Sequence, residues 1–190
     1  MSSPERPKVS LFHRGFDKLY PAIRFTYERL LGNVWFTRIE PHLWLGGAPT
    51  YERDFDALLT LGITAVVDLR QERTHEPSFF AQHGIALRQY PVPETSAPGP
   101  AVLDDAVPWI TARLAEGRTV LIHCAKGRGR SAAVLAAYLM KTNGLTFDQV
   151  EALITTKRKL VKLQDRHRLV LEAWIAGQPV PVPEDGVAPG

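Results

Sequence analysis

The sequence predicts an α/β fold with a central, mostly parallel sheet flanked by helices. Three observations carry that prediction. From about residue 40 onward, short apolar runs rich in β-branched residues alternate with segments of helical periodicity. The run at 119–123 (TVLIH) is almost wholly apolar, and the segment at 131–141 (SAAVLAAYLMK) is apolar on nearly every helical face, as expected of a strand and a helix at the centre of such a fold. The chain has 190 residues, 45% of them hydrophobic, which suffices for one domain with its own core.

The first 34 residues stand apart. Phe12, Phe16, Tyr20, Ile23, Tyr27 and Leu30 recur three or four apart with Arg and Lys interleaved. That spacing predicts a basic amphipathic helix, bent at Pro21, which either packs on the domain or lies at a membrane surface. The domain proper spans 35–176. Its first strand is expected over 42–45, ending at Gly46-Gly47, and Thr50 is placed to cap a helix that runs to Leu61 and stops at Gly62. Residues 63–69 (ITAVVDL) predict a buried strand, and 85–92 an alternating one that leads into the irregular loop PETSAPGP. Leu103, Val107, Ile110 and Leu114 predict a helix ending at Gly117, with Pro108 implying a kink or a later start. After the central strand and helix, two more helices are expected over 147–156 and 164–175. Residues 177–190 form a proline-rich tail without pattern and are expected to lack fixed structure.

Composition narrows the function. A single cysteine rules out an internal disulfide framework and a thiolate-rich zinc site. The net charge of +3, from 23 Lys and Arg against 20 Asp and Glu, is too small to argue for nucleic acid as a partner. No run approaches the roughly 20 apolar residues of a membrane span, and the N-terminal segment lacks a signal-peptide pattern. A reducing cytoplasm is therefore the expected location.

The loop between the central strand and helix reads His123-Cys124-Ala125-Lys126-Gly127-Arg128-Gly129-Arg130-Ser131. A strand that feeds a helix through a tight loop turns successive backbone N–H groups inward, and the helix N-terminus adds partial positive charge. Such a loop cradles an anion, with Ala125, Lys126, Gly127, Arg128 and Gly129 contributing the cradle. Gly127 and Gly129 are expected to take positive φ angles, and Arg130 can fork onto two phosphate oxygens. Cys124 sits where these groups favour a thiolate, a nucleophile for in-line displacement at phosphorus. Ser131 can hydrogen-bond the sulfur as it leaves, and His123 is expected to orient the loop. Since the thiolate is itself the nucleophile and no set of His, Asp and Glu ligands stands near it, neither a metal nor another cofactor is implied.

At these residues the sequence resembles the cysteine-dependent phosphatase superfamily, whose hallmark is His-Cys, five residues, Arg, then Ser or Thr. The order of elements from Trp35 to Trp174 resembles that of a dual-specificity phosphatase. Within that group, Trp35-Phe36-Thr37-Arg38-Ile39-Glu40 followed by Leu45-Gly46-Gly47-Ala48-Pro49 is similar to the mitochondrial-type phosphatidylglycerophosphate phosphatases. The resemblance implies hydrolysis of phosphomonoesters through a phosphocysteine, with a phosphoprotein or phospholipid as the substrate partner.

The sequence departs from the family pattern at the general acid, normally an Asp about thirty residues before the cysteine, which protonates the leaving group. Pro93 stands there. Its neighbour Glu94 is the candidate acid if the loop brings it over the cleft, where burial can raise its pKa; Asp104 and Asp105 stand in reserve, or simply favour a helix N-terminus through the dipole. Asp68, Arg70 and Glu72, after a buried strand, can reach the same cleft in a supporting role or form ion pairs in a solvated loop. Lys126 and Arg128 make the loop more basic than phosphotyrosine chemistry requires, which suits a ligand with several phosphates or a lipid phosphate. Lys157, Arg158, Lys159, Lys162, Arg166 and Arg168 form a basic cluster that reads as a solvated helix face or as a contact to a membrane or polyanion. Two other readings of the loop stand beside the phosphatase: a rhodanese-like sulfurtransferase, and a phospho-ligand binding module that has lost turnover along with the acid.

Overall fold

The computed structural model describes residues 22, 24–30, 32, 34–73 and 77–180. Phe12, Phe16, Tyr20, Pro21 and Ile23 of the expected N-terminal helix, and residues 181–190 of the tail, lie outside the described residues. The chain divides into two compact units, 1–35 and 36–190. In the first unit Thr26–Leu30 forms a π-helical turn. Arg24 pairs with Glu28 at 3.0 Å and lies over the Trp35 ring, which Tyr27 meets edge-on. No helix among the described residues is long and apolar enough to cross a membrane.

Among the described residues the second unit is built on five strands: β1 (Phe36–Glu40), β2 (Leu43–Gly47), β3 (Ala65–Arg70), β4 (Ala86–Val92) and β5 (Val120–Cys124). They line up as β1-β2-β5-β3-β4, with β1 antiparallel to β2 and every other pairing parallel. The helices are α1 (Glu52–Thr60), α2 (Pro77–Gln82), α3 (Pro100–Ala115), α4 (Arg130–Asn143), α5 (Phe147–Lys157) and α6 (Asp165–Ile175). The mostly parallel sheet matches the reading from sequence. Alternating residues of β2, β3 and β5 (Leu43, Leu45, Ala65, Val67, Leu69, Val120, Ile122) join α3 to α6 in one core. Helix α4 is buried continuously from Arg130 to Met140, which explains why its sequence has no polar face.

Several elements differ from expectation for identifiable reasons. β1 is additional: its five residues are too few for a clear alternation, and Thr37 is buried beside Phe36 and Ile39. The six-residue α2 is likewise too short to show a period, although its Phe80 is fully buried. Tyr51, not Thr50, is the N-cap of α1, and the Asp54 carboxylate accepts from both backbone N–H groups, Thr50 at 2.8 Å and Tyr51 at 2.9 Å. Helix α3 begins at Pro100 and passes through Pro108, instead of starting after it. With Leu103, Ala106, Val107 and Ile110 buried, packing outweighs the hydrogen bond that Pro108 cannot make.

Sheet register places the chemistry. Cys124 ends β5 opposite Gly47 of β2, and His123 lies between Gly46 of β2 and Asp68 of β3. The carboxyl ends of parallel strands thus converge where α4 begins, the usual place for a ligand in an open α/β sheet.

Candidate active site

Cys124 is 3% exposed at the base of the loop, and the Ser131 hydroxyl donates to its Sγ at 3.3 Å. Burial alone would raise the thiol's pKa. The Arg130 charge, the Ser131 hydroxyl and backbone N–H, and the Arg128 N–H outweigh it and hold the thiol below its ordinary value. The site thus shifts the buried sulfur toward the thiolate, the reverse of what burial alone does to a cysteine that merely packs a core.

The loop is held from outside through its carbonyls. Ala125 O accepts from Ala48 N–H at 3.1 Å, and Arg128 O from Lys162 N–H at 3.0 Å. Lys126 O and Gly127 O accept from Arg158 Nη2 and Nε, each at 3.0 Å. In a trans peptide the carbonyl and the following N–H point in opposite directions. With four successive carbonyls turned outward, the N–H groups of Lys126, Gly127, Arg128 and Gly129 face the interior, forming an anion-binding nest at the N-terminus of α4. Gly127 has φ +66°, and a Cβ there would lie within 2.8 Å of Gly47 N and closer still to the Gly46 carbonyl. Gly129 does not share that geometry. Its φ is −119°, the positive angle expected of it is absent, and a Cβ there would meet only the His167 ring, at 3.6 Å.

Arg130 is 3% exposed. Its Nη1 donates to Glu72 Oε2 and to Val92 O, both at 2.8 Å, and its Nη2 donates to Glu72 Oε1 at 2.7 Å. Burial would lower its pKa, but the bonds to Glu72 and the charges of Cys124 and Glu72 raise it above the ordinary arginine value. Glu72 holds the end of the guanidinium, so the side edge, formed by Nε and the second Nη2 hydrogen, is the one that can fork an anion. Glu72 thus does reach the cleft. Asp68 acts differently: its carboxylate, 1% exposed, takes Arg70 Nε and Nη2 at 2.9 Å each in a buried ion pair. His123 is fully buried, with Nδ1 3.4 Å from Cys124 O and 3.7 Å from Asp68 Oδ1. Burial and the Arg70 charge push its pKa well down, which favours the neutral ring.

Glu94 meets the loop at Lys126, whose Nζ donates to its Oε1 at 3.3 Å. Its side chain is 36% exposed, so the burial expected of it is not the state observed. The two reserve acids are engaged elsewhere. Asp104 accepts from Trp174 Nε1 at 2.7 Å, and Asp105 accepts from Tyr90 Oη and Arg88 Nη2 at 2.6 Å each. Within the nest segment, Arg128 is exposed and Lys126 half-buried. Among the described residues no group of three or more His, Cys, Asp or Glu converges to hold a metal ion.

The basic cluster near the C-terminus does not form one face. Lys159, Lys162 and Arg166 are exposed. Lys157 donates to Ile39 O at 2.8 Å, and Arg168 pairs with Asp148 and Glu172 and lies over the Phe147 ring. Arg158 is buried beneath the loop, 1% exposed. Sequence reasoning missed that role because five neighbouring cations mask it; the signal was the flanking apolar spacing of Ile154, Val161 and Leu163, all of them buried.

Comparison with known proteins agrees with this geometry. Residues 43–175 match the dual specificity phosphatase catalytic domain. Dual specificity protein phosphatase 12 of Homo sapiens is 40% identical over 115 residues, covering 58% of this chain and 33% of that protein. The Mus musculus protein of that name is 36% identical over 142 residues, 73% of this chain and 40% of its own length, so the chain spans two fifths or less of these relatives. Phosphatidylglycerophosphate phosphatase PTPMT2 of Arabidopsis thaliana is 27% identical over 159 residues, 82% of this chain and 68% of that protein. Among solved structures, PTPMT1 in complex with PI(5)P superposes with a TM-score of 0.70 at 22% identity, covering 76% of this chain and 96% of that one. Tk-PTP in its active form gives 0.68 at 28% identity, with 74% and 95% covered. The matched span contains the whole loop from Cys124 to Arg130 with the strands and helices that position it, and the chain belongs to the dual specificity phosphatase family.

Proposed function

We propose that this protein hydrolyses phosphomonoesters through a phosphocysteine at Cys124, and that its substrate is a lipid phosphate. The observation that carries the reaction is a buried thiol, lowered in pKa, with the Ser131 hydroxyl 3.3 Å from its sulfur and a nest of N–H groups above it. In the first step Cys124 Sγ attacks phosphorus, the S–P bond forms, the P–O ester bond breaks, and the departing oxygen takes a proton from the Glu94 carboxyl. In the second step water attacks phosphorus, gives its proton to the Glu94 carboxylate, and the S–P bond breaks as Ser131 donates to the returning thiolate. Arg130, through its Nε side edge, and the loop amides hold the equatorial oxygens and stabilise the charge that spreads over them in the transition state.

Lipid phosphate is favoured by exposed Arg128 beside Lys126 at the mouth, an arrangement suited to a second anionic group or an anionic surface. It is in keeping with one relative's name as a phosphatidylglycerophosphate phosphatase and with another's capture with PI(5)P. With that substrate the protein works from the cytoplasm, in peripheral contact with a membrane. The test is hydrolysis of an aryl phosphate in the presence of chelator, followed by a comparison of phosphatidylglycerophosphate, phosphoinositide and phosphopeptide. Turnover with chelator, inhibition by vanadate, loss in Cys124→Ser and preference for the lipids are expected. Full activity in Cys124→Ser overturns the reaction, binding of vanadate without any turnover makes the protein a binding module, and preference for the phosphopeptide overturns the lipid assignment.

A further inference from the structure

Arg158 follows α5 as its C-cap, in extended backbone, and carries its guanidinium into the protein beneath the nest. A buried guanidinium is costly unless its donors are met. Here Nη1 donates to Thr37 Oγ1 of β1 at 3.0 Å, while Nη2 and Nε donate to Lys126 O and Gly127 O. Those two bonds fix two consecutive peptide planes. The first aims the Gly127 N–H inward. The second aims the Arg128 N–H, which is one of the groups hydrogen-bonded to the Cys124 sulfur.

These are the planes that most need fixing. They flank Gly127, at φ +66°, a glycine with no Cβ to restrict its backbone. Convergent N–H dipoles repel one another when no anion is bound, so the nest relaxes by flipping peptides unless something holds the carbonyls. At Ala125 and Arg128 that grip comes from backbone N–H groups, and at Lys126 and Gly127 it comes from one planar fork.

We infer that Arg158 is a positioning residue for the reaction proposed above: it keeps the peptides at 126–128 turned so that their amides meet the phosphoryl group and the Cys124 sulfur, without touching substrate itself. The inference rests on that reading of the site, but its readouts do not require turnover. They are the pH midpoint of Cys124 alkylation by iodoacetamide and the affinity for vanadate, measured on full-length Arg158→Met and Arg158→Lys after their folding is checked by circular dichroism.

Arg158→Met is expected to raise the alkylation midpoint by about one pH unit and to weaken vanadate binding roughly tenfold, with kcat falling more than KM rises. Arg158→Lys keeps the charge and one donor group but not the fork, so intermediate values are expected, and it carries the test if the Met variant does not fold. Wild-type midpoint and affinity in either folded variant overturn the inference. In Arg158→Lys that outcome would mean that positive charge alone suffices. If Cys124→Ser retained phosphatase activity, the proposed reaction would fall while these two measurements still reported on the loop.

Discussion

Two loops meet at the carboxyl edge of the sheet, and they are built in opposite ways. The loop from Cys124 to Arg130 is over-determined: four successive carbonyls are bonded from outside, Gly127 interlocks with the backbone of β2, and Arg130 is anchored on Glu72. The loop over 93–99, which carries Glu94, turns on the Ser96 N–H to Pro93 O bond and meets its neighbour through the Lys126–Glu94 pair, more than a third exposed on the glutamate side. An ion pair of that exposure is worth little and is screened by salt. The candidate nucleophile and anion site are therefore preorganised, while the proposed proton donor rests on a contact that water can replace. This is a workable division of labour: a displaced amide destroys the site, whereas a proton can come from a carboxyl that arrives with the substrate.

The largest effect is expected from Gly127→Ala, which attacks the first loop at its tightest point. The new Cβ meets backbone atoms of Gly46 and Gly47, which belong to a strand hydrogen-bonded into the middle of the sheet, and the positive φ adds strain. Activity on an aryl phosphate should fall by about a thousandfold or more, because the amides lose their common focus. Gly129→Ala is the matched control. Its φ is −119° and the nearest atom to the new methyl, His167 Nε2, is 3.6 Å away, so a loss of less than about tenfold is expected. Equal losses at the two glycines would show that the loop is not locked at Gly127.

Glu94→Gln probes the second loop. If Glu94 is the acid, hydrolysis of an alkyl phosphate, whose leaving group needs a proton, should fall about a hundredfold, and hydrolysis of an aryl phosphate only a few-fold. The ratio of the two losses is the measurement. Equal losses on both substrates would assign Glu94 to holding Lys126 and remove it from proton transfer.

The same difference explains what could be read in the sequence. Cys124, Arg130 and Ser131 act through a local motif, in which strand, turn and helix follow one another within nine residues, so residue type and spacing suffice to place them. The parallel core was legible because 65–69 and 120–123 are buried on both sides and read as continuous apolar runs. Glu72 was legible as a residue able to reach the cleft, but its pairing with Arg130 spans 58 residues and the grip of Arg158 on the loop spans 31, distances over which no periodicity reports contact, and Arg158 also lay hidden among exposed lysines. Asp104 and Asp105 were held only in reserve as acids, and both fall in the first half of α3. The side chains of Trp174, Tyr90 and Arg88 that occupy them come from other elements.

Glu72→Gln should cost far less activity than Gly127→Ala, and it bears on how far the rigidity of the first loop extends. Glu72 is 19% exposed and lies outside the motif, yet it takes both terminal nitrogens of Arg130. Burial pushes its pKa up, but the bonds and charge of Arg130 outweigh that and hold it below the ordinary carboxylate value. A carboxylate lowered on folding stabilises the protein above its unfolded-state pKa, and that contribution is lost as pH falls through the folded-state value. The melting temperature of the wild type should therefore exceed that of Glu72→Gln near neutral pH, and the gap should close on acidification below the ordinary carboxylate range. The loss in kcat/KM should be about tenfold, since the Val92 carbonyl still holds Nη1 and a glutamine oxygen still accepts one bond. A variant that binds vanadate more tightly than the wild type would mean the reverse: Glu72 competes with the phosphoryl group for Arg130, and the side edge of the guanidinium is not by itself the anion site.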